Sequence, residues 1–235
     1  MDQGTTLRQR KGGVWALFES LRPLQWARNA FVLAALLFDK KLTNLPAVVR
    51  VGVAAALFCL VASGVYLLND LLDVERDRQH PRKKHRPLAS GRLSVPVAMA
   101  SAAVCLAGSV ALGFAMHWQL GSILLVYVLI NIAYSLWLKH VVVLDTFAVA
   151  SGYVLRVAAG VVAVQVERFS PWLYVFILFF AMLVSLAKRR QELLLLAGNA
   201  GNHRASLTEY SVSFFDHAIS IMAGGAIVVY ALYTF

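Results

Sequence analysis

The amino-acid sequence predicts an all-α protein, a polytopic transmembrane helical bundle with about seven spans. Three observations carry this. The 235 residues are 60% hydrophobic, with a mean hydropathy of +0.68. Only 14% are charged, against about 25% in a typical water-soluble domain. The apolar residues are gathered into runs close to the ~20 residues needed to cross the hydrocarbon layer, and most basic residues sit in the gaps between them. The formal charge is +10, from 22 Lys and Arg against 12 Asp and Glu. A basic excess alone suits nucleic acid, but its placement between apolar runs ties it to membrane topology instead. No nucleic-acid partner is expected.

In chain order, the expected spans are Leu24–Phe38, Ala47–Leu68, Val95–Met116, Leu120–Leu138, Val141–Val166, Pro171–Ala187 and Ser211–Tyr233. The first and sixth are short, and the sixth leans on Trp172 and Tyr174 as interface anchors. The polar, basic N-terminus has no small-residue cleavage site after a short apolar core, so no signal peptide is evident. Residues 14–22 suit an amphipathic helix on the membrane surface. Cys59 and Cys105 both lie inside apolar runs and form neither a disulfide framework nor a metal-ligand cluster. His117, His140 and His217 have no ligand spacing. The chain reads as a single integral-membrane domain over residues 1–235, with one basic loop at 69–95 and another at 188–210.

With seven spans, one side of the membrane collects most of the basic residues: those of the N-terminal segment up to Arg28, of the 69–95 loop, Lys139, and Lys188, Arg189, Arg190 and Arg204. The other side has only Lys40, Lys41, Arg50 and Arg168. The positive-inside rule then places the N-terminus and both basic loops in the cytoplasm and Phe235 outside, in the cell inner (plasma) membrane.

Three polar constellations interrupt this apolar chain. The first follows the second span, where Asn69, Asp70, Asp73 and Asp77 form N-D-x-x-D-x-x-x-D. On a helix that continues past the membrane, the three acids share one face. Carboxylates so crowded repel unless a cation holds them, and Mg²⁺ suits oxygen ligands and substrate phosphates. His80, Arg82, Lys83, Lys84, His85 and Arg86 follow at once, so acids for a metal stand beside bases for the remaining phosphate oxygens. The bland reading is a solvated loop that sets topology and touches anionic lipid. The second constellation is YVLRVAAG in the fifth span. Arg156 there must face the bundle interior or a water-filled cavity, either to hold a phosphate or to pair with an Asp of another span. Tyr153 lies on the same face. Asp145 lies on it too, about 16 Å away along the helix, either to bind metal or sugar or to cap the helix start. The third is KRRQEL, where Lys188 and Glu192 either pair at i,i+4 or, with Arg189, grip phosphate and sugar. His203 and Arg204 are further donors nearby.

The first constellation, with His80, Pro81, Lys84, Arg86, Pro87 and Gly91 following it, resembles the Asp-rich loop of the UbiA superfamily of intramembrane prenyltransferases. The likeness runs from RPLQWARN (Arg22–Asn29) to HRASLTEY (His203–Tyr210). Aromatic prenyltransferases of that superfamily carry a second Asp-rich motif after span six, where this chain has Lys188 to Leu193. The YVLR and KRRQEL segments resemble the decaprenyl-phosphate phosphoribosyltransferase branch instead. That resemblance implies a UbiA-like bundle of about nine helices around a cavity, of which this chain would supply seven. It also implies phosphoribosyl pyrophosphate as donor, a polyprenyl phosphate as acceptor, and a product used in actinobacterial cell-wall synthesis.

On this reading Asp70, Asp73 and Asp77 hold Mg²⁺, and Lys84, Arg86 and Arg156 act directly on phosphate. Asn69, His80, Tyr153, Asp145, Lys188, Arg189, Glu192 and Arg204 bind the substrates. The alternative is a prenyltransferase that moves a polyprenyl group from its diphosphate to an aromatic or other acceptor. A transporter or lipid-binding protein is a third class, but it would not need carboxylates at metal-binding spacing.

Overall fold

The computed structural model describes residues 13–141, 143–165, 170–195 and 211–235. All regular structure among them is helical. The elements are α1 (Val14–Ser20), a 3-10 helix (Pro23–Leu33) running into α2 (Ala34–Phe38), α3 (Leu45–Leu72), α4 (Val74–Gln79), α5 (Val95–Met116), α6 (Trp118–Leu136), α7 (Leu144–Val164), α8 (Pro171–Leu195) and α9 (Val212–Thr234). Single 3-10 turns stand at Lys83–His85 and Leu138–His140. The helices α3, α5, α6, α7, α8 and α9 are each long and apolar enough to cross a membrane. The chain is a multi-pass membrane protein, and its many exposed large apolar side chains, among them Val104, Leu129 and Ile227, suit contact with lipid.

Two expectations need correction. The first expected span is not a regular α-helix. Its N-terminal part is an 11-residue 3-10 helix, a length far beyond the usual three or four residues. Polar side chains within it find partners on α3: Trp26 Nε1 donates to Ser63 Oγ at 3.0 Å, and Asn29 Nδ2 to Cys59 Sγ at 3.3 Å. In addition, residues 188–195 are not a loop. They continue α8, because Lys, Arg, Gln, Glu and Leu are all good helix formers once the chain leaves the apolar run.

The residues gather into two compact units. The first comprises Met1–Ala30 and Val53–Leu124, the second Phe31–Gly52 and Leu125–Phe235. In the first unit a core of Ala16, Leu67, Leu88, Leu93, Ala98 and Ala102 holds α1, the end of α3, the loop after α4 and the start of α5 together. Small residues allow close helix approach, as is common in membranes. A Cβ on Gly64 would lie 2.8 Å from Leu106 Cγ of α5, and one on Gly113 3.1 Å from the Gly121 Cα of α6.

In the second unit α8 packs against α7 and α9. Ala150, Ala181 and Met182 form one buried cluster, and Leu186 with Phe215 another. Arg190 Nε meets Asp216 Oδ1 at 2.6 Å and ties α8 to α9. Arg50 Nε donates to the Ala163 carbonyl at 2.9 Å, satisfying one of the open carbonyls at the end of α7. Gly160 of α7 lies directly against the Val32 carbonyl, and an added Cβ would overlap that oxygen.

Gly160→Ala is therefore expected to cost about 1–3 kcal/mol, the range for overpacking a tight contact. Gly108→Ala on α5, where a Cβ meets nothing within 4 Å, should be neutral or slightly stabilising, since alanine favours helix over glycine by about 0.5–1 kcal/mol. Unfolding in mixed micelles measures both.

Candidate functional site

In the first unit the site begins where α3 ends. The helix stops at Leu72, Asp73 takes a non-helical turn with φ −101° and ψ 9°, and α4 starts at Val74. The uninterrupted helix expected for the acid motif is thus broken at its middle acid. Asp70 and Asp77 turn inward and are buried. Asp73 stands half-buried at the junction, 3.6 Å from Arg76. The break is why the three acids do not form a ready-made cage: no group of three or more metal-ligating side chains is close enough for an ion among the described residues.

What joins Asp70 and Asp77 is Arg86. Its Nη1 donates to Asp70 Oδ1 at 3.1 Å and to Asp77 Oδ2 at 2.6 Å. The loop that carries Arg86 is folded and anchored. Arg86 N donates to the Lys83 carbonyl, Leu93 N to Pro87 O, and Gly91 N to Leu88 O. Gly91 has φ +74°, a conformation that glycine adopts without strain. Leu88 and Leu93 sink into the unit's core. His80 Nδ1 accepts from the amides of Arg82 and Lys83 at 3.1 and 3.3 Å and so shapes the turn before Arg86. Lys84 is exposed on that turn, and Asn69 is half-buried one residue before Asp70.

Two contributors that the sequence does not mark as site residues, Arg22 and Glu19, come from the N-terminal segment. Arg22 Nη2 lies 2.5 Å from Asp70 Oδ1, and its guanidinium stacks 4.9 Å from the centroid of the Tyr66 ring. Glu19 binds Arg92 through both oxygens, at 2.8 and 3.1 Å, and Arg92 also donates to the His85 carbonyl. The Glu19 hydrogen bonds hold the Arg92 guanidinium above its ordinary pKa. These partners are 48 and 73 residues apart in the chain, and no local spacing signals them. Glu19, Ser20, Arg22, Asp70, His85, Arg86 and Pro87 line an open cavity of about 340 Å³.

The donor set fits Mg²⁺. It is made of carboxylate oxygens, and Asp77 Oδ1 is buried with no hydrogen-bond partner among the described residues, although Lys83 Nζ stands 3.9 Å away. Magnesium is commonly held by one or two carboxylates plus substrate phosphates, so a closed three-acid cage is not required.

The second unit holds the other predicted residues in two places. Asp145, in the first turn of α7, is fully buried. It accepts from Thr146 Oγ1 at 3.0 Å and from Arg189 Nε of α8 at 3.3 Å. Arg189 Nη1 also donates to Glu192 Oε2 at 3.1 Å. Lys188 is exposed on the same helix. Further along α7, Arg156 is buried as expected. It donates to the Gly152 carbonyl at 2.7 Å and to the Tyr127 hydroxyl at 3.1 Å. Its guanidinium lies 5.1 Å from the Tyr127 ring centroid and 5.6 Å from that of Tyr153. Tyr127 carries no signal in the sequence, being one aromatic among many in an apolar run. Arg204 and the segment 203–210 lie outside the described residues.

Residues 29–192 match the model of the UbiA prenyltransferase family. The chain belongs to that family. It is 34% identical over 231 residues to a decaprenyl-phosphate phosphoribosyltransferase of Mycolicibacterium smegmatis, an alignment covering 96% of this chain and 72% of the relative. It is also 34% identical over 223 residues to the Corynebacterium glutamicum protein of the same name, covering 93% and 67%. Within the UbiA family it therefore groups with the decaprenyl-phosphate phosphoribosyltransferases. Among solved structures, a UbiA homolog from Archaeoglobus fulgidus, bound to GPP and Mg²⁺, superposes with a TM-score of 0.71 at 22% identity, over 93% of this chain and 76% of that one. The UbiA fold is thus present.

Asp145→Asn would weaken the hydrogen bond from Arg189 Nε while leaving Glu192 as the guanidinium's remaining carboxylate, and is expected to destabilise by about 1.5–3 kcal/mol, the range for a hydrogen bond to a charged group. Adding Arg189→Gln should cost less than the sum of the two single substitutions, because the two groups share one interaction. Unfolding of the single and double variants in mixed micelles checks the sign of the coupling.

Proposed function

We propose that the protein transfers the 5-phosphoribosyl group of phosphoribosyl pyrophosphate to a polyprenyl phosphate of the decaprenyl-phosphate type, releasing diphosphate. The observation that carries this reading is the acid–guanidinium cluster of Asp70 and Asp77 with Arg86, of which Asp70 and Arg86 line an open cavity. A metal–diphosphate group needs both acids and bases at one place, and the likeness to decaprenyl-phosphate phosphoribosyltransferases supports such a donor. The structural neighbour's bound Mg²⁺ supports the same choice of metal.

In this scheme Asp70 and Asp77, with Asp73 at the helix junction joining them only once the donor's phosphate oxygens complete the site, would hold Mg²⁺, and the ion would neutralise charge developing on the departing diphosphate. Arg86 and Lys84 contact the phosphate oxygens directly. A phosphate oxygen of the acceptor attacks C1 of the ribose. The new C1–O bond forms as the C1–O bond to diphosphate breaks, and the electron pair leaves with diphosphate. The attacking oxygen is already anionic at neutral pH, so no strong general base is required, and catalysis rests on alignment. Asn69 and His80 belong to the diphosphate end. Arg156, with Tyr153 beside it, serves the acceptor phosphate or the donor 5-phosphate. Lys188, Arg189 and Glu192, with Asp145 behind Arg189, serve the phosphoribosyl end, as does Arg204. The basic segments face the cytoplasm, from which a hydrophilic anionic donor arrives, while the acceptor's apolar tail stays in lipid. The basic KRRQEL stretch on α8, in place of a second acid motif, favours this over transfer of a prenyl group.

Detergent-purified protein with Mg²⁺, labelled phosphoribosyl pyrophosphate and polyprenyl phosphate is expected to yield lipid-soluble label. Asp73→Asn should abolish it, and a labelled prenyl diphosphate should release no diphosphate. Turnover from the prenyl donor alone would reject the proposal. In-line displacement further predicts inverted configuration at C1 of the product, which a stereochemical analysis reads out.

A further inference from the structure

The metal-holding carboxylates already have cationic partners, and this bears on how ligands enter; the inference rests on the function proposed above. Asp70 and Asp77 face the guanidinium groups of Arg22 and Arg86, and Lys83 stands near Asp77. The cluster therefore has no surplus negative charge with which to attract a bare divalent cation. Arg22 and a metal would also compete for the same oxygen, Asp70 Oδ1. Diphosphate changes this balance. It brings several negative charges and oxygens that match a guanidinium fork.

Arg22 is placed to change partners. It lines the cavity beside Asp70, is partly exposed, and among the described residues its guanidinium makes one ion pair, whereas Arg86 bridges two buried acids. Its backbone is pinned while its side chain is not. Arg22 N donates to the Glu19 carbonyl, Glu19 is clamped by Arg92, and Ser63 Oγ donates to the Leu21 carbonyl at 2.8 Å. The Tyr66 face supports the guanidinium without fixing its direction.

We infer that Arg22 is an exchangeable counter-ion: it neutralises Asp70 before the donor binds, and passes to the donor's phosphate oxygens when a metal takes its place on Asp70. Metal and diphosphate consequently enter as a pair. A bare metal is opposed by Arg22, and a metal–diphosphate complex is helped by it. The coupling is reciprocal, as any linkage between two ligands must be.

The test uses the full chain in detergent and two probes, Mn²⁺ alone and preformed Mn²⁺–pyrophosphate, with bound manganese read by electron paramagnetic resonance. The variant is Arg22→Asn, because Arg22 has φ +54° and asparagine tolerates that left-handed backbone. Relative to wild type it should bind Mn²⁺ alone about three-fold more tightly and the complex about ten-fold more weakly, within the usual span of ligand coupling. Arg22→Lys keeps the charge but loses the fork. It should leave Mn²⁺ alone nearly unchanged and still weaken the complex, so the test stands even if the Asn variant does not fold. Shifts of both probes in the same direction in Arg22→Asn, or unchanged complex binding in Arg22→Lys, overturn the exchange. Wild-type-like binding of the complex after Asp70→Asn and Asp77→Asn together instead overturns the functional reading, and the exchange with it. Loss of the complex in that double variant, with no effect of Arg22→Asn on either probe, overturns the exchange alone.

Discussion

One nitrogen atom, Nη1 of Arg86, is shared by two buried carboxylates, and the architecture of the first unit follows from that constraint. Asp70 lies in the last turn of one helix and Asp77 in the next, so without a cation between them two like charges would meet in a medium that screens them poorly. Placing the cation there demands a loop of fixed shape. Leu88 and Leu93 bury their side chains, Gly91 takes the left-handed turn, and Arg92 reaches across to Glu19. Buried ion pairs seldom add net stability. The gain here is in arrangement: acids and bases stand together at a polar cavity before any ligand arrives.

The second unit obeys a different constraint, that of polar groups inside an apolar solvent. Arg156 is satisfied by a carbonyl of its own helix, a tyrosine hydroxyl and two aromatic faces. Asp145 is satisfied by Thr146 and Arg189. Polar and ionisable residues at membrane depth are costly and face inward, and here they are spread along α7 at two levels. Gly152 contributes by leaving room for the Arg156 guanidinium, since a Cβ there would stand 3.1 Å from Nη1.

Much of this was legible in the sequence, and the failures share a cause. The span Val95–Met116 agrees to the residue with its apolar run, and in the structure Ser94 and Pro96 stand at its start while the chain turns extended at His117. The other later spans agree within three residues at each end, since an apolar run is its own signal, but α8 runs eight residues past Ala187 because its polar end is still helix-forming. The 3-10 stretch was not foreseen, because Trp26 and Asn29 take their geometry from Ser63 and Cys59, far along the chain. The acids Asp70, Asp73 and Asp77 were read as one helical face, but spacing alone does not reveal a helix break. Arg22 and Tyr127 were missed for the reason that hides most long-range partners: each looks ordinary among its neighbours.

The continuity of α8 has a further consequence. One unbroken helix carries lipid-facing residues such as Phe180 at one level and Arg189, the partner of Asp145, about 13 Å further along its axis. The boundary between oil and water thus crosses a stiff rod and not a slack tether. Bilayer thickness, which shifts a rod to match its greasy length, then bears mechanically on the guanidinium at its far end, so the lipid composition of the host membrane becomes part of how this cluster is set.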